Sequence, residues 1–144
     1  MYKLKLKPED FIVDEIPLDL KLKDKGKYHL LNLKKSKLTT QQAVEFLSSS
    51  FNIPLKFFNY AGLKDKEAIT SQYITVKNIK SLKMTNIKDK RLQLEHLGYV
   101  DERLNLGNLK ANSFKITVRN IDKIPRPCSS FLNLFGKQRF SRNN

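Results

Sequence analysis

The chain of 144 residues carries 28 Lys and Arg against 14 Asp and Glu, which gives a formal net charge of +14, and 40% of its residues are hydrophobic. This charge favours a polyanionic partner, with nucleic acid the first candidate, and the hydrophobic content suffices for one ordinary domain or a piece of a larger one. The single cysteine excludes an internal disulfide, the two histidines offer no metal-ligand cluster, and no run approaches the roughly 18 apolar residues of a membrane helix.

Three strands are predicted in the first part of the chain, at residues 3–7, 11–16 and 28–33. The first alternates Lys and Leu, so its leucines would share a buried face and its lysines an exposed one. Pro8 and Pro17 end the first two strands, and a lysine-rich turn separates the second from the third. His29 lies on the third strand, where it is predicted to be a packed or half-exposed strand residue and not a catalytic base.

A helix is predicted from an N-cap at Thr39 or Thr40 to about Asn52, because its apolar residues recur on one helical face. Pro54 prevents this helix from continuing into the aromatic strand predicted at residues 57–60. The order strand, helix, strand therefore leads into the segment that contains the main functional candidate.

Asp65 is that candidate, on a loop that leaves the predicted sheet. Gly62 permits a tight turn before it, and a further strand is predicted at residues 73–76. The flanking Lys64 and Lys66 would favour an ionised carboxylate, which keeps Asp65 available as a base or nucleophile near neutral pH. From local chemistry alone, a solvated turn with incidental charges is the more common explanation.

Two more strands are predicted in the second half of the chain, at residues 91–99 and 113–121. Residues 77–90 lack periodicity and are predicted to form a connector with room for one short helix. Strand 113–121 alternates apolar and basic residues and so has one basic face. Nothing marks a domain boundary before a proline bend at residues 124–127. The predicted fold class is α+β, with a mixed, mostly antiparallel sheet and a few helices.

Four motifs resemble one protein family. Residues 61–72, AGLKDKEAITSQ, are similar to the signature AGxKDKxAxTxQ of the TruD family of tRNA pseudouridine synthases. In the family's order, PEDFIVDE at 8–15, LGNLKANSF at 106–114 and NLFGKQRF at 133–140 resemble its PEDFxVxE, LGxLKGNxF and NYFGxQRFG. The resemblance spans the whole chain but covers only the first half of the family. We therefore expect residues 1–144 to be a partial catalytic domain that is not a competent synthase alone.

The resemblance also implies roles for individual residues. Asp65 would be the nucleophile that converts uridine 13 in the D arm of tRNA to pseudouridine, by attack on the sugar or the base, without cofactor or metal. Phe135 would stack on the target base and Asn133 would contact the target nucleotide, although without the resemblance they are typical of a core and a turn. Lys5 would pair with Asp65 or neutralise a phosphate. The residues expected to support the site or bind RNA are Lys64, Lys66 and Arg139.

Two other functions remain open from the sequence. A non-catalytic basic RNA-binding module would use the same lysines and exposed aromatic side chains, with Asp65 as a relic or a structural turn. A protein-interaction domain would present its basic face to an acidic partner. The first residues lack the apolar segment of a secretory signal, so a reducing cytoplasm is the expected compartment, and the oligomeric state is not determined.

Overall fold

The computed structural model describes residues 1–79, 85–124 and 126–130, which form one sheet and a covering helix. Its strands are β1 (Phe11–Pro17), β2 (Tyr28–Ser36), β3 (Phe58–Tyr60), β4 (Ile69–Lys77), β5 (Ile87–Lys88), β6 (Leu92–Val100) and β7 (Leu109–Ile116). Between β2 and β3 lies the helix α1 (Thr40–Phe51), and short 3-10 helices occupy Pro8–Asp10 and Leu55–Phe57.

The strands follow the order β5-β6-β2-β4-β1-β7, and β3 pairs with the last part of β4. β1 and β4 run parallel, whereas the other described pairs are antiparallel. The predicted α+β class with a mixed, mostly antiparallel sheet is therefore confirmed. Because Ile12 pairs with Ile69 and Ile69 pairs with Ser36, β1 and β4 begin at the same end of the sheet at which β2 finishes. Three connecting segments meet at that end.

Helix α1 begins and ends where its local sequence specifies. Thr39 Oγ1 accepts from the Gln42 backbone N–H at 3.0 Å, and the Gln42 side chain accepts from the Thr39 N–H at 3.0 Å, which completes a capping box. Asn52, with φ of 53°, terminates the helix in the left-handed conformation that asparagine tolerates. The predicted helix is thus confirmed, and it covers one face of the sheet with a buried cluster that includes Ala43 and Leu47.

The prediction of a strand at residues 3–7 is wrong. Lys3 forms one isolated bridge with Arg119, Lys5 has a φ of 52°, and Leu4 and Leu6 are exposed. Lys5 lies in the left-handed conformation in the middle of this alternating segment, so the extended backbone that a continuous ladder of hydrogen bonds requires is interrupted there.

The other predicted elements occur with shifted boundaries. The strand predicted at 113–121 is β7, which starts and ends earlier, and Phe114 on it is 57% exposed. Within the predicted connector 77–90 the structure has the short strand β5, and residues 80–84 lie outside the described part. His29 is buried on β2, as predicted for a packed strand residue. Gly62 does not adopt a positive φ, so the backbone at this position does not need the conformational freedom of glycine.

Candidate active site

Asp65 lies on the loop between β3 and β4, at the end of the sheet where β1 and β4 begin. Lys5 Nζ lies 2.7 Å from Asp65 Oδ2, and the two side chains are 33% and 47% exposed. The same ammonium lies 3.9 Å from the centroid of the Phe11 ring. The cation beside the carboxylate is therefore Lys5, 60 residues away in sequence, and not the flanking Lys64 or Lys66 that local spacing indicates.

Lys64 points away from Asp65 and into the protein. Its Nζ lies 2.7 Å from Glu15 Oε2, in an ion pair whose side chains are only 6% and 1% exposed. Glu15 belongs to β1, and its other oxygen accepts from the Tyr73 N–H at 3.2 Å. Lys64 thus attaches the Asp65 loop to the sheet through a buried contact. The Lys66 residue is exposed, and its carbonyl accepts from the Lys37 N–H at 3.0 Å.

Buried polar side chains hold the backbone that precedes Asp65. The Gly62 carbonyl accepts from Gln72 Nε2 at 3.0 Å, and the Lys64 N–H donates to Thr40 Oγ1 at 3.0 Å. The Thr40 hydroxyl in turn donates to Gln72 Oε1 at 2.8 Å. Thr40 and Gln72 are both fully buried, and they link the first turn of α1, strand β4 and the loop. Such a satisfied buried network fixes the position of a segment that lacks regular secondary structure.

Lys35, on β2, is a buried site residue that the sequence analysis missed. Its ammonium donates to the carbonyls of Leu38 at 2.8 Å, Lys64 at 3.2 Å and Asp65 at 2.9 Å, and the residue is 1% exposed. Burial lowers its pKa to about 8; the positive charge of Lys64 acts in the same direction, and the carboxylate of Asp65 opposes both. Strand alternation could have identified Lys35, because it shares a strand face with the apolar Leu33.

Asp10, in the motif PEDFIVDE at residues 8–15, is the second residue that the sequence analysis missed. Its two carboxylate oxygens each accept from the Arg119 guanidinium at 2.8 Å, and Asp10 is buried. The bond to Arg119 lowers the pKa of Asp10, although burial of the carboxylate opposes this. This bidentate pair fixes the chain after β7 to the start of β1, next to the segment that carries Lys5.

A cleft of about 200 Å³ opens at the same end of the sheet, beside the end of β2. Its lining includes the cationic side chains of Lys34, Lys90 and Arg91. Within residues 1–79, 85–124 and 126–130, no group of three or more His, Cys, Asp or Glu side chains could hold a metal ion. Nor does the described part contain a helix long and apolar enough to cross a membrane.

The family model for tRNA pseudouridine synthase D (TruD) matches residues 2–143. The chain belongs to the TruD family. Relatives include the tRNA pseudouridine synthase D of Aquifex aeolicus, 43% identical over 96% of this chain and 39% of that protein. The tRNA pseudouridine synthase D of Campylobacter jejuni is 32% identical over 93% of this chain and 38% of that protein. The chain therefore spans less than half the length of these relatives.

A solved structure supports the TruD assignment at the level of the fold. A crystal structure assigned to tRNA pseudouridine synthase D (TruD) from Methanosarcina mazei matches with a TM-score of 0.77 at 35% sequence identity. The match covers 84% of this chain and 28% of the solved one. The TruD motif residues Asn133, Phe135 and Arg139 lie outside the described residues, so the structure brings together Lys5, Asp65 and the loop-supporting groups alone.

Proposed function

We propose that this chain supplies the nucleophile and part of the active site of a cytoplasmic tRNA pseudouridine synthase that acts on uridine 13. The observation that carries the proposal is the carboxylate of Asp65, which is open to solvent, paired with Lys5 and carried on a loop fixed by buried contacts. An incidental turn would not need buried partners for its backbone and for a lysine side chain.

The reaction needs no external oxidant, reductant or energy source. The bond between ribose C1′ and uracil N1 breaks, the base turns over, and C1′ joins C5, while the proton lost from C5 is balanced by one gained at N1. Asp65 would attack the sugar or the base to form a transient covalent species. The fixed position of the Asp65 loop matters for the rate, because correct orientation of reacting groups can lower an activation barrier by about 7–11 kcal/mol.

Neighbouring residues would bind and orient the nucleotide. Lys5 would pair with the Asp65 carboxylate in the free protein or neutralise a phosphate in the complex. Phe135 would stack on the flipped uracil and Asn133 would contact the target nucleotide, which are the roles that the resemblance to the TruD family implies. Lys64 would keep the loop in place through its buried pair with Glu15, and Lys66, exposed on the same loop, would contribute positive charge around Asp65.

RNA binding is proposed to be largely electrostatic. The net charge of +14 and the cleft with Lys34, Lys90 and Arg91 favour a phosphate backbone near the Asp65 loop, and Arg139 would add a further cation. A non-catalytic RNA-binding module would share this charge. Only the requirement for the Asp65 carboxylate distinguishes the two functions.

The remainder of the TruD fold would complete the site. The chain spans 39% of the Aquifex aeolicus relative, and Phe114 and Ile116 are exposed on β7, which is last in the described strand order. Exposed apolar side chains on an edge strand are typically covered by another part of the protein or by a partner. We accordingly propose that residues 1–144 form part of a larger catalytic domain.

The decisive test is Asp65→Asn in the full-length polypeptide that carries this sequence. The substitution preserves size and removes the nucleophile, so pseudouridine formation should be abolished while tRNA binding stays within about threefold of the wild type. Glu67→Gln, an exposed carboxylate two residues away, is the matched control and should remain active. Product is measured as tritium release from tRNA labelled at uracil C5, and a transcript with cytidine at position 13 tests the site. Appreciable turnover by Asp65→Asn would refute the proposal.

A further inference from the structure

Lys35 occupies a place where a lysine is costly. It is 1% exposed, and within the described part of the chain its ammonium contacts backbone carbonyls and no carboxylate. Burial of a charged amine is unfavourable unless hydrogen bonds replace its hydration. An ammonium has three protons, and Lys35 uses them on three acceptors. The arrangement is therefore specific to the protonated form of the side chain.

The three acceptors lie on two different segments. The Lys64 and Asp65 carbonyls belong to the two consecutive peptide groups that flank the Cα of Asp65. The Leu38 carbonyl lies in the turn between β2 and α1, immediately before the N-cap Thr39. One ammonium therefore fixes both peptide planes around Asp65 relative to β2 and to the start of α1.

We propose that Lys35 is a positioning residue for the nucleophile Asp65, holding both flanking peptide groups so that the carboxylate projects toward the substrate. This inference rests on the proposed function of Asp65. Lys35 does not transfer a proton in the reaction, because its Nζ is enclosed and directed at main-chain oxygens. Its effect on rate comes through the geometry of the loop.

Protonation of Lys35 should therefore control the rate. A neutral amine has two protons for three carbonyl acceptors, so one main-chain oxygen of the Asp65 loop or the Leu38 turn loses its donor. Asp65 and Lys64 are the charged groups whose fields act on the ammonium, and Lys64 is itself paired with Glu15. With the pKa of Lys35 lowered to about 8, this loss occurs at mildly alkaline pH, whereas ordinary lysines titrate near pH ~10.4.

The test compares Lys35→Met with the wild type in the full-length protein, at saturating tRNA, from about pH 6.5 to about pH 9.5. Methionine keeps an unbranched apolar stem and removes the donors. We expect kcat to fall about 100-fold at neutral pH, with tRNA Kd changed less than about threefold. The wild-type kcat should decline with a midpoint near pH 8, and Lys35→Met should lack this decline. Lys25→Met, which removes the same charge from an exposed turn, should match the wild type.

Each result bears on a defined claim. A kcat of Lys35→Met near the wild-type value, or an unchanged alkaline decline in that variant, would overturn the inference. If circular dichroism shows that Lys35→Met does not fold, Lys35→Arg gives the same test, since its guanidinium stays protonated and the decline should disappear. If neither variant folds, a flat wild-type profile overturns the inference and a decline near pH 8 supports it. Turnover by Asp65→Asn would instead overturn the proposed function itself.

Discussion

Lys64→Met should destabilise the protein strongly because it removes one partner of a buried ion pair. The Glu15 side chain, 1% exposed in the wild type, would keep the hydrogen bond from the Tyr73 N–H to Oε1, but its Oε2 would lose the ammonium at 2.7 Å. Breaking such a pair from one side costs about 3–5 kcal/mol, because a charge stays buried without compensation. Because the hydrogen bond from the Tyr73 N–H remains, we expect Lys64→Met to lower the free energy of unfolding by about 3 kcal/mol, the lower end of this range. Screening of this ion pair by solvent is small, since the Lys64 side chain is 6% exposed.

The assay is urea unfolding of the full-length protein, followed by circular dichroism. Lys66→Met removes the same charge from an exposed residue of the same loop and should change the free energy of unfolding by less than about 0.5 kcal/mol. The double variant Lys64→Met, Glu15→Gln removes both charges and keeps an oxygen for Tyr73, so it should recover about 2 kcal/mol of the loss. A double variant no more stable than Lys64→Met would refute the reasoning, because the penalty would then not come from the stranded carboxylate.

Three further predictions concern acid stability, RNA binding and the isolated chain. The bond from Arg119 lowers the pKa of Asp10 below its ordinary 3.8, so its contribution to stability is present above that pH and is lost as pH falls through the lower folded value. Urea midpoints of Asp10→Asn should accordingly change less with acidification than those of the wild type, and parallel curves would contradict this. tRNA affinity should fall along a steep log-log salt slope and be unchanged by a chelator; a flat slope, or loss of binding in chelator, would exclude the electrostatic, metal-independent model. Residues 1–144 alone should bind tRNA but form little pseudouridine, and robust multiple turnover by this polypeptide would show that the partial-domain proposal is wrong.

Local sequence determined the elements of the fold that depend on a few neighbouring residues. The pattern predicted an N-cap at Thr39 or Thr40 and an end near Asn52, and α1 is capped by Thr39 and terminated by Asn52. Apolar and β-branched runs bounded by turn residues located β1, β2, β4 and β6, because side-chain alternation is a property of consecutive residues. The resemblance of the motif with Asp65 to the TruD signature indicated the family, and the family model that matches residues 2–143 confirms it.

The tertiary structure decided which residues meet. Local spacing indicated Lys64 and Lys66 as the cations beside Asp65, but Lys64 turns inward to Glu15. Lys5, 60 residues away, pairs with the Asp65 carboxylate, which is one of the two roles that the resemblance implied for it. The parallel pairing of β1 and β4 brings these segments together.

Lys35 is one lysine among many in the sequence. Its role depends on the contact of its ammonium with both the Leu38 turn and the Asp65 loop at a buried position of β2. Alternation at residues 3–7 did not produce a strand, since a strand also requires an extended backbone, and Lys5 in the middle of this segment has a φ of 52°. Hydrogen-bond partners and burial depend on the neighbouring segments, and local sequence does not specify which segments those are.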